Sequence, residues 1–166
     1  MITTNNRMIV NNVTRLLDSK KISYHIFELP NEKIGAEETA KILGVDSGQV
    51  FKTIVIIRPG KGKPILALIP GNSEVDIKKL AQAVNEKKLS IPTEKEAERL
   101  TGLQAGGISP LSLLNKGFQI IIDESAMSLS EIHISGGQRG LNIRMAVNDL
   151  ISLTGAKNIV ITQSCS

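Results

Sequence analysis

The apolar run Val50-Phe51-Lys52-Thr53-Ile54-Val55-Ile56-Ile57 constrains this fold more than any other stretch of the chain. It is rich in β-branched residues, too short for a helix, and closed by Arg58-Pro59-Gly60, which makes it a β-strand. Side chains alternate across a strand, and here both faces are apolar. Phe51, Thr53, Val55 and Ile57 form one face; Ile54 and Ile56 form the other. Such a strand needs cover on both sides. Lys52, in line with Ile54 and Ile56, is the exception. Either its stem packs while its ammonium reaches water, or it is a cation held at the rim of a pocket.

The rest of the chain supplies elements to cover that strand. Met8, Ile9, Val13, Leu16 and Leu17 recur at helical spacing, with Asn5 or Asn6 as cap and Lys20-Lys21 as the end. Residues 22–27 alternate as a strand, with His25 on its solvated face. Residues 35–44 form a helix with Glu37 and Glu38 in the first turn and Gly44 as its stop. A basic turn over 58–63 joins the lysine strand to a second apolar strand at 64–69, as a hairpin. Asp76 caps a helix over 77–84, and Thr93 with Glu96 opens another that stops at Gly102. Residues 89–92, 118–122, 131–134, 141–145 and 159–161 are short strands. Asn148 is the candidate cap of a last helix ending at Thr154. Strands and helices mix without strict βαβ alternation. The expectation is an α/β fold in one domain, 1–166: a curved, partly closed mixed sheet or barrel with helices outside.

Composition narrows the function. Aromatic residues are 2% of the chain, which argues against binding single-stranded nucleic acid on a stacking platform. The net charge of +4 is compatible with a phosphate-bearing partner. The lone cysteine, Cys165, implies no disulfide framework and no cysteine-rich metal site. No apolar run reaches membrane-spanning length and the N-terminus does not read as a signal peptide, so the cytoplasm is expected. There is no P-loop, no dinucleotide fingerprint and no Ser-His-Asp constellation; no metal or other cofactor is implied.

Two glycine-rich stretches remain. Gly106-Gly107-Ile108-Ser109-Pro110 is either a tight structural turn or a loop that brings backbone N–H groups to a ligand. Ser135-Gly136-Gly137-Gln138-Arg139-Gly140 is either a hairpin connection or a small anion nest beside Arg139.

Taken in order, Gln49 to Thr53, Thr101-Gly102 with Gly106 to Pro110, and Ile132 to Leu141 resemble the YbaK/ProX family. These proteins are free-standing relatives of the editing domain inserted in bacterial prolyl-tRNA synthetases. The resemblance runs from about Val13 to Ile161. It implies a mixed, partly closed sheet flanked by helices, and removal of a wrong amino acid from tRNA. The favoured substrate is Cys on tRNA(Pro), with prolyl-tRNA synthetase a candidate partner. The family lysine falls on Lys52, and the glycine and proline of the GxxxP loop fall on Gly106 and Pro110. Lys52 is the implied catalytic residue. Gly106, Gly107, Ile108, Ser109, Pro110, Ser135, Gly136, Gly137, Arg139 and Asn142 are the implied substrate-binding residues. Lys61, Lys63 and Arg139 are candidate phosphate contacts. The chain departs from the Cys-clearing relatives at Asn142, where an aspartate is common, and at Leu29, where some carry a tyrosine. The competing readings are a deacylase for Ala or another small amino acid, a non-catalytic tRNA- or synthetase-binding module, and a small-molecule esterase.

Overall fold

The computed structural model describes residues 9–60 and 62–163. Asn5, Asn6, Met8, Lys61 and Cys165 lie outside them. Seven strands form two sheets. The first holds β1 (Tyr24–Glu28), β5 (Glu131–Ser135) and β6 (Leu141–Ala146), all antiparallel, in the order β1-β6-β5. The second holds β2 (Phe51–Ile56), β3 (Ile65–Pro70), β4 (Gln119–Asp123) and β7 (Lys157–Ile159), in the order β2-β3-β4-β7. β2 and β3 form the expected antiparallel hairpin, whereas β3–β4 and β4–β7 are parallel. The mixed character is therefore real. The two sheets meet through a single parallel bridge, Val50 to His133, and the strands do not close into a barrel among the described residues.

The second sheet is covered on both faces, as β2 requires. Phe51, Val55, Leu66, Leu68, Ile120 and Ile122 face a core shared with Ile132, Ile134 and Ile143 of the first sheet. Ile56, Ile65, Ala67, Ile69 and Ile121 face a smaller core closed by Val75, Leu80, Leu89 and Ile161. β3, buried along its whole length, divides the two.

The helices are α1 (Asn12–Ser19), α2 (Ala36–Leu43), α3 (Ile77–Ala83), α4 (Glu94–Thr101) and α5 (Val147–Thr154). Four start or stop, at one end at least, as their sequences dictate. Asp76 accepts from the N–H groups of Lys78 and Lys79, Thr93 accepts from Glu96 N–H, and Gly44, Gly102 and Gly155 end α2, α4 and α5 in the left-handed conformation. Others differ from expectation. α1 is capped by Asn11, whose side chain accepts from Thr14 N–H while the Thr14 hydroxyl accepts from Asn11 N–H. α5 starts at Val147 with Ala146 as an uncapped N-cap; Val147 N–H is instead taken by Ser130 O at 3.0 Å, so Asn148 sits inside the first turn. The last strand is Lys157–Ile159, two residues earlier than the apolar pattern suggests. Residues 89–92 contribute only the bridge between Ile57 and Ser90.

Ile161 lies beyond β7 because Asp123 holds it. The Asp123 carboxylate is buried at the end of β4; Oδ1 accepts from Ile161 N–H at 3.0 Å, and Oδ2 from the Ser125 N–H and hydroxyl at 3.1 and 2.5 Å. Asp123→Ala should leave the buried Ile161 N–H unsatisfied and cost about 1–3 kcal/mol of stability, read from the urea midpoint with circular dichroism. A midpoint unchanged from wild type would show that the tail is held by its apolar contacts alone.

Candidate functional site

The Val50–His133 bridge sets the geometry of the site. The pairing is parallel, so two residues further along each strand Lys52 and Ser135 come side by side. Ser135 pairs with Asn142 across the β5–β6 hairpin, and Asn142 pairs with Phe27 on β1. Lys52, Ser135 and Asn142 thus share a row on one face, although the first two are half the chain apart in sequence. All three line a cavity of about 420 Å³. Its opposite wall comes from Gly106 and Ile108, from the loop between β1 and α2, and from residues 91–97 at the start of α4. Lys33 of that loop and Glu94 of α4 make an ion pair at the mouth.

Lys52 is half-buried, and its ammonium is aimed. Nζ lies 3.4 Å from Gly71 O and 3.7 Å from Glu74 Oε1. Gly71 places that carbonyl by packing against α2; a Cβ there would lie 2.7 Å from Ala36 Cβ, and its N–H donates to Val50 O at 2.7 Å. The cation therefore sits at the end of the β2–β3 hairpin, oriented by a backbone oxygen and paired loosely with the exposed Glu74 carboxylate.

Asn142 is buried, and its Oδ1 lies 2.7 Å from Nδ1 of His133. His133 is 3% exposed and tilted against Phe27 at 5.3 Å between centroids. Burial pushes its pKa below the ordinary value of 6.5. The Asn142 hydrogen bond and Glu131 oppose this, and Arg144 adds to it. Nothing in the sequence pattern singles out His133. The signal was the hairpin register: residues 133 and 142 are diagonal neighbours on one face.

The remaining sequence candidates do not line the cavity. They lock its walls together. Gly107 lies against Gln138, and an added Cβ would stand 2.9 Å from its Cα and carbonyl carbon. Gly136 and Gly137 leave room for Leu141, Val13 and Ser112, with contacts near 2.7 and 2.8 Å for an added Cβ. Arg139 donates from Nε to Ala105 O at 2.6 Å, tying the turn to the 106–110 loop. Asn11 donates to Gly136 O at 2.9 Å from the other side. Ser109, fully buried, caps a short 3-10 helix at Pro110–Leu113 by accepting from Leu111 N–H, and Pro110 begins it. Of the phosphate candidates, Arg139 is thus engaged with a backbone carbonyl, and Lys63 lies 5.6 Å above the Phe118 ring, away from the cavity lining.

Comparisons with known proteins converge. A family model described as aminoacyl-tRNA editing domain matches residues 31–153. A protein of Enterococcus faecalis named "Putative Cys-tRNA(Pro)/Cys-tRNA(Cys) deacylase EbsC" is 37% identical over 153 residues, covering 91% of this chain and 92% of its own. A proline--tRNA ligase of Limosilactobacillus fermentum is 26% identical over 68% of this chain, which corresponds to only 18% of the ligase. Among solved structures, one titled "Crystal structure of a putative trans-editing enzyme for prolyl tRNA synthetase" superposes with a TM-score of 0.78 at 25% identity, over 94% of this chain and 99% of its own. Another, hypothetical protein APE2540, shares the fold at a TM-score of 0.84 and 19% identity, over 92% of this chain and 100% of its own.

Two outcomes follow from the geometry. Gly107→Ala should push the two loops apart and lower stability by about 1–3 kcal/mol, measured by urea denaturation, since the obstructing atoms are backbone. No loss of stability would mean that the loops are not keyed at this point. Because the folded pKa of His133 lies below its unfolded value, the unfolded chain takes up the proton first. Stability from this residue is complete above about pH 6.5 and declines as the pH falls through the folded pKa. Urea midpoints for wild type and His133→Phe between about pH 7 and pH 5 should show a shallower decline in the variant. Equal slopes would exclude His133 as the source.

Proposed function

The chain belongs to the aminoacyl-tRNA editing domain family, and from that membership we propose that it is a free-standing deacylase, working in the cytoplasm as one domain. Its substrate is a mischarged tRNA, with Cys on tRNA(Pro) the first candidate and Ala or another small residue next. The observation that carries the reading is the row of Lys52, Ser135 and Asn142 along one cavity, faced by Gly106 and Ile108. Family membership supplies the substrate class. The cavity supplies a cation and hydrogen-bonding groups in a pocket sized for a small aminoacyl group and the end of a ribose.

In this mechanism the ester joining the amino acid to the terminal ribose enters past Lys33 and Glu94. Its carbonyl turns towards Lys52, whose ammonium stabilises the negative charge that develops on that oxygen as a nucleophile adds to the carbon. The backbone around Gly106 and the side chains of Ile108, Ser135 and Asn142 position the aminoacyl group. Gly107, Ser109, Pro110, Gly136, Gly137 and Arg139 act indirectly, by fixing the walls. The attacking atom is a water oxygen or, for cysteine, the substrate's own thiol, and it gives up its proton as its bond to the carbonyl carbon forms. The vicinal ribose hydroxyl serves only to hold that nucleophile, since its own attack would shift the acyl group to the neighbouring oxygen without releasing it. When the tetrahedral intermediate collapses, the ribose oxygen leaves and takes up a proton. The part of Lys52 is charge, not proton transfer. Prolyl-tRNA synthetase is the natural source of such a substrate.

The test is single-turnover deacylation of Cys-, Ala-, Ser- and Pro-charged tRNA(Pro). Wild type should clear at least one mischarged form faster than Pro-tRNA(Pro). Lys52→Ala should lose about 10²–10³-fold with an unchanged circular dichroism spectrum, since it removes one electrostatic donor from the transition state. Lys52→Arg should recover only part of that, because a planar guanidinium is larger and differently aimed. Near-wild-type rates for folded Lys52→Ala would overturn the assignment of Lys52. Binding of charged tRNA without clearance of any form would replace the deacylase with a binding module, and clearance of small aminoacyl esters as fast as charged tRNA would favour an esterase. Affinity for tRNA should also fall as salt is raised, since phosphate contacts release counterions.

A further inference from the structure

Asn142 lines the cavity, but it does not choose its own orientation. Its carboxamide has two chemically opposite edges, an accepting oxygen and a donating NH₂. Oδ1 is turned inward, 2.7 Å from Nδ1 of His133. His133 stands behind it and is not part of the cavity lining. Both side chains are buried, His133 at 3% and Asn142 at 4% exposure, so neither can exchange partners with bulk water. Phe27 packs against the imidazole ring, and the Arg144 guanidinium lies 5.5 Å over the Phe27 ring. The stack leaves the ring little freedom. A neutral imidazole facing a carbonyl oxygen must carry its proton on the near nitrogen, which makes Nδ1 the donor. The Asn142 Nδ2 has no protein acceptor among the described residues.

We infer that His133 is a positioning residue which, by donating from Nδ1 to Asn142 Oδ1, holds the carboxamide with its NH₂ edge towards the cavity. The inference rests on the deacylase reading for its catalytic consequence, but not for its structural content. The cavity then offers the substrate donors at two points, Asn142 Nδ2–H and the Lys52 ammonium. Such a pocket selects for acceptor atoms of the aminoacyl ester: its carbonyl oxygen, the ribose oxygens, or a side-chain sulfur or oxygen. An aspartate at 142 would do the reverse. It would present only acceptors and draw in the α-ammonium. The Asn142–His133 pair is thus a specificity determinant for how the ester is held.

Two measurements test this. In protein labelled with ¹⁵N-histidine, two-bond ¹H–¹⁵N correlation at neutral pH should show His133 as the neutral Nδ1–H tautomer. Asn142→Ala should release that preference. An Nε2–H tautomer or a charged ring in wild type would overturn the proposal, whatever the enzyme does. The second is a double-mutant cycle in single-turnover deacylation. His133→Phe, which keeps a ring against Phe27 but has no donor, should slow the reaction about tenfold, the worth of one neutral hydrogen bond. His133→Gln, which keeps a donor, should recover part of the rate. In an Asn142→Ala background His133→Phe should change the rate no further, because there is no carboxamide left to orient. Full additivity, or a wild-type rate for folded His133→Phe, would overturn the positioning role. Should wild type clear no charged tRNA, the deacylase reading fails, and the tautomer measurement still decides the assignment of His133.

Discussion

Everything at the site depends on one parallel bridge, between Val50 and His133. Without it there are two separate sheets: an antiparallel one built mainly by the β5–β6 hairpin, and a mixed one built around β3. The bridge fixes their relative register, and register decides which side chains share a face. Slipping it by one residue would turn Lys52 away from Ser135 and Asn142 and put Phe51, a core residue, in its place in the row. The apolar sides of both sheets guard against that slip. Phe51 and Val55 are buried in the same core as Ile132 and Ile134, so a shift would expose four large apolar side chains. The large core thus holds the polar row in place.

The sequence made much of this visible, because local chemistry decided the outcome. Asp76 and Thr93 announce helix starts, Gly44 and Gly102 announce stops, and the β-branched runs of β2, β3 and β4 admit little other than buried strands. What it hid was decided by distant contacts. Asn148 is a better cap than Ala146 in isolation, yet Ser130 O takes the first amide of α5 and moves the helix start. The run at 159–161 looks like the last strand, yet Asp123 holds Ile161 and the pairing with β4 falls on Lys157 to Ile159.

The site was legible to a similar degree. A lysine in a strand apolar on both faces is a local anomaly, so Lys52 could be singled out without a structure. The paired glycines were also visible, but not their purpose. A sequence shows that a Cβ is missing; it does not show whether a ligand or another loop fills the space. Here the space beside Gly107 and Gly137 is filled by protein. His133 escaped notice because a lone histidine carries no pattern of its own. Its partner is nine residues away across a hairpin, and only the register places them together. Within proline--tRNA ligases a similar segment makes up less than a fifth of the chain.

The interlock of Gly107 with Gln138 also bears on where ordering free energy is lost. Glycine gives up more backbone freedom on folding than any other residue, and the two loops that interlock beside the cavity concentrate glycines at 106, 107, 136, 137 and 140. That loss is taken when the chain folds, not when a ligand arrives. Loops already held backbone against backbone, and fastened by Arg139 to Ala105 O, have little left to surrender on binding. A substrate that makes few contacts, such as a single aminoacyl ester, can then be held by those contacts almost undiminished. The backbone freedom that these glycine-rich loops surrender on folding is, in this fold, what leaves the cavity rigid.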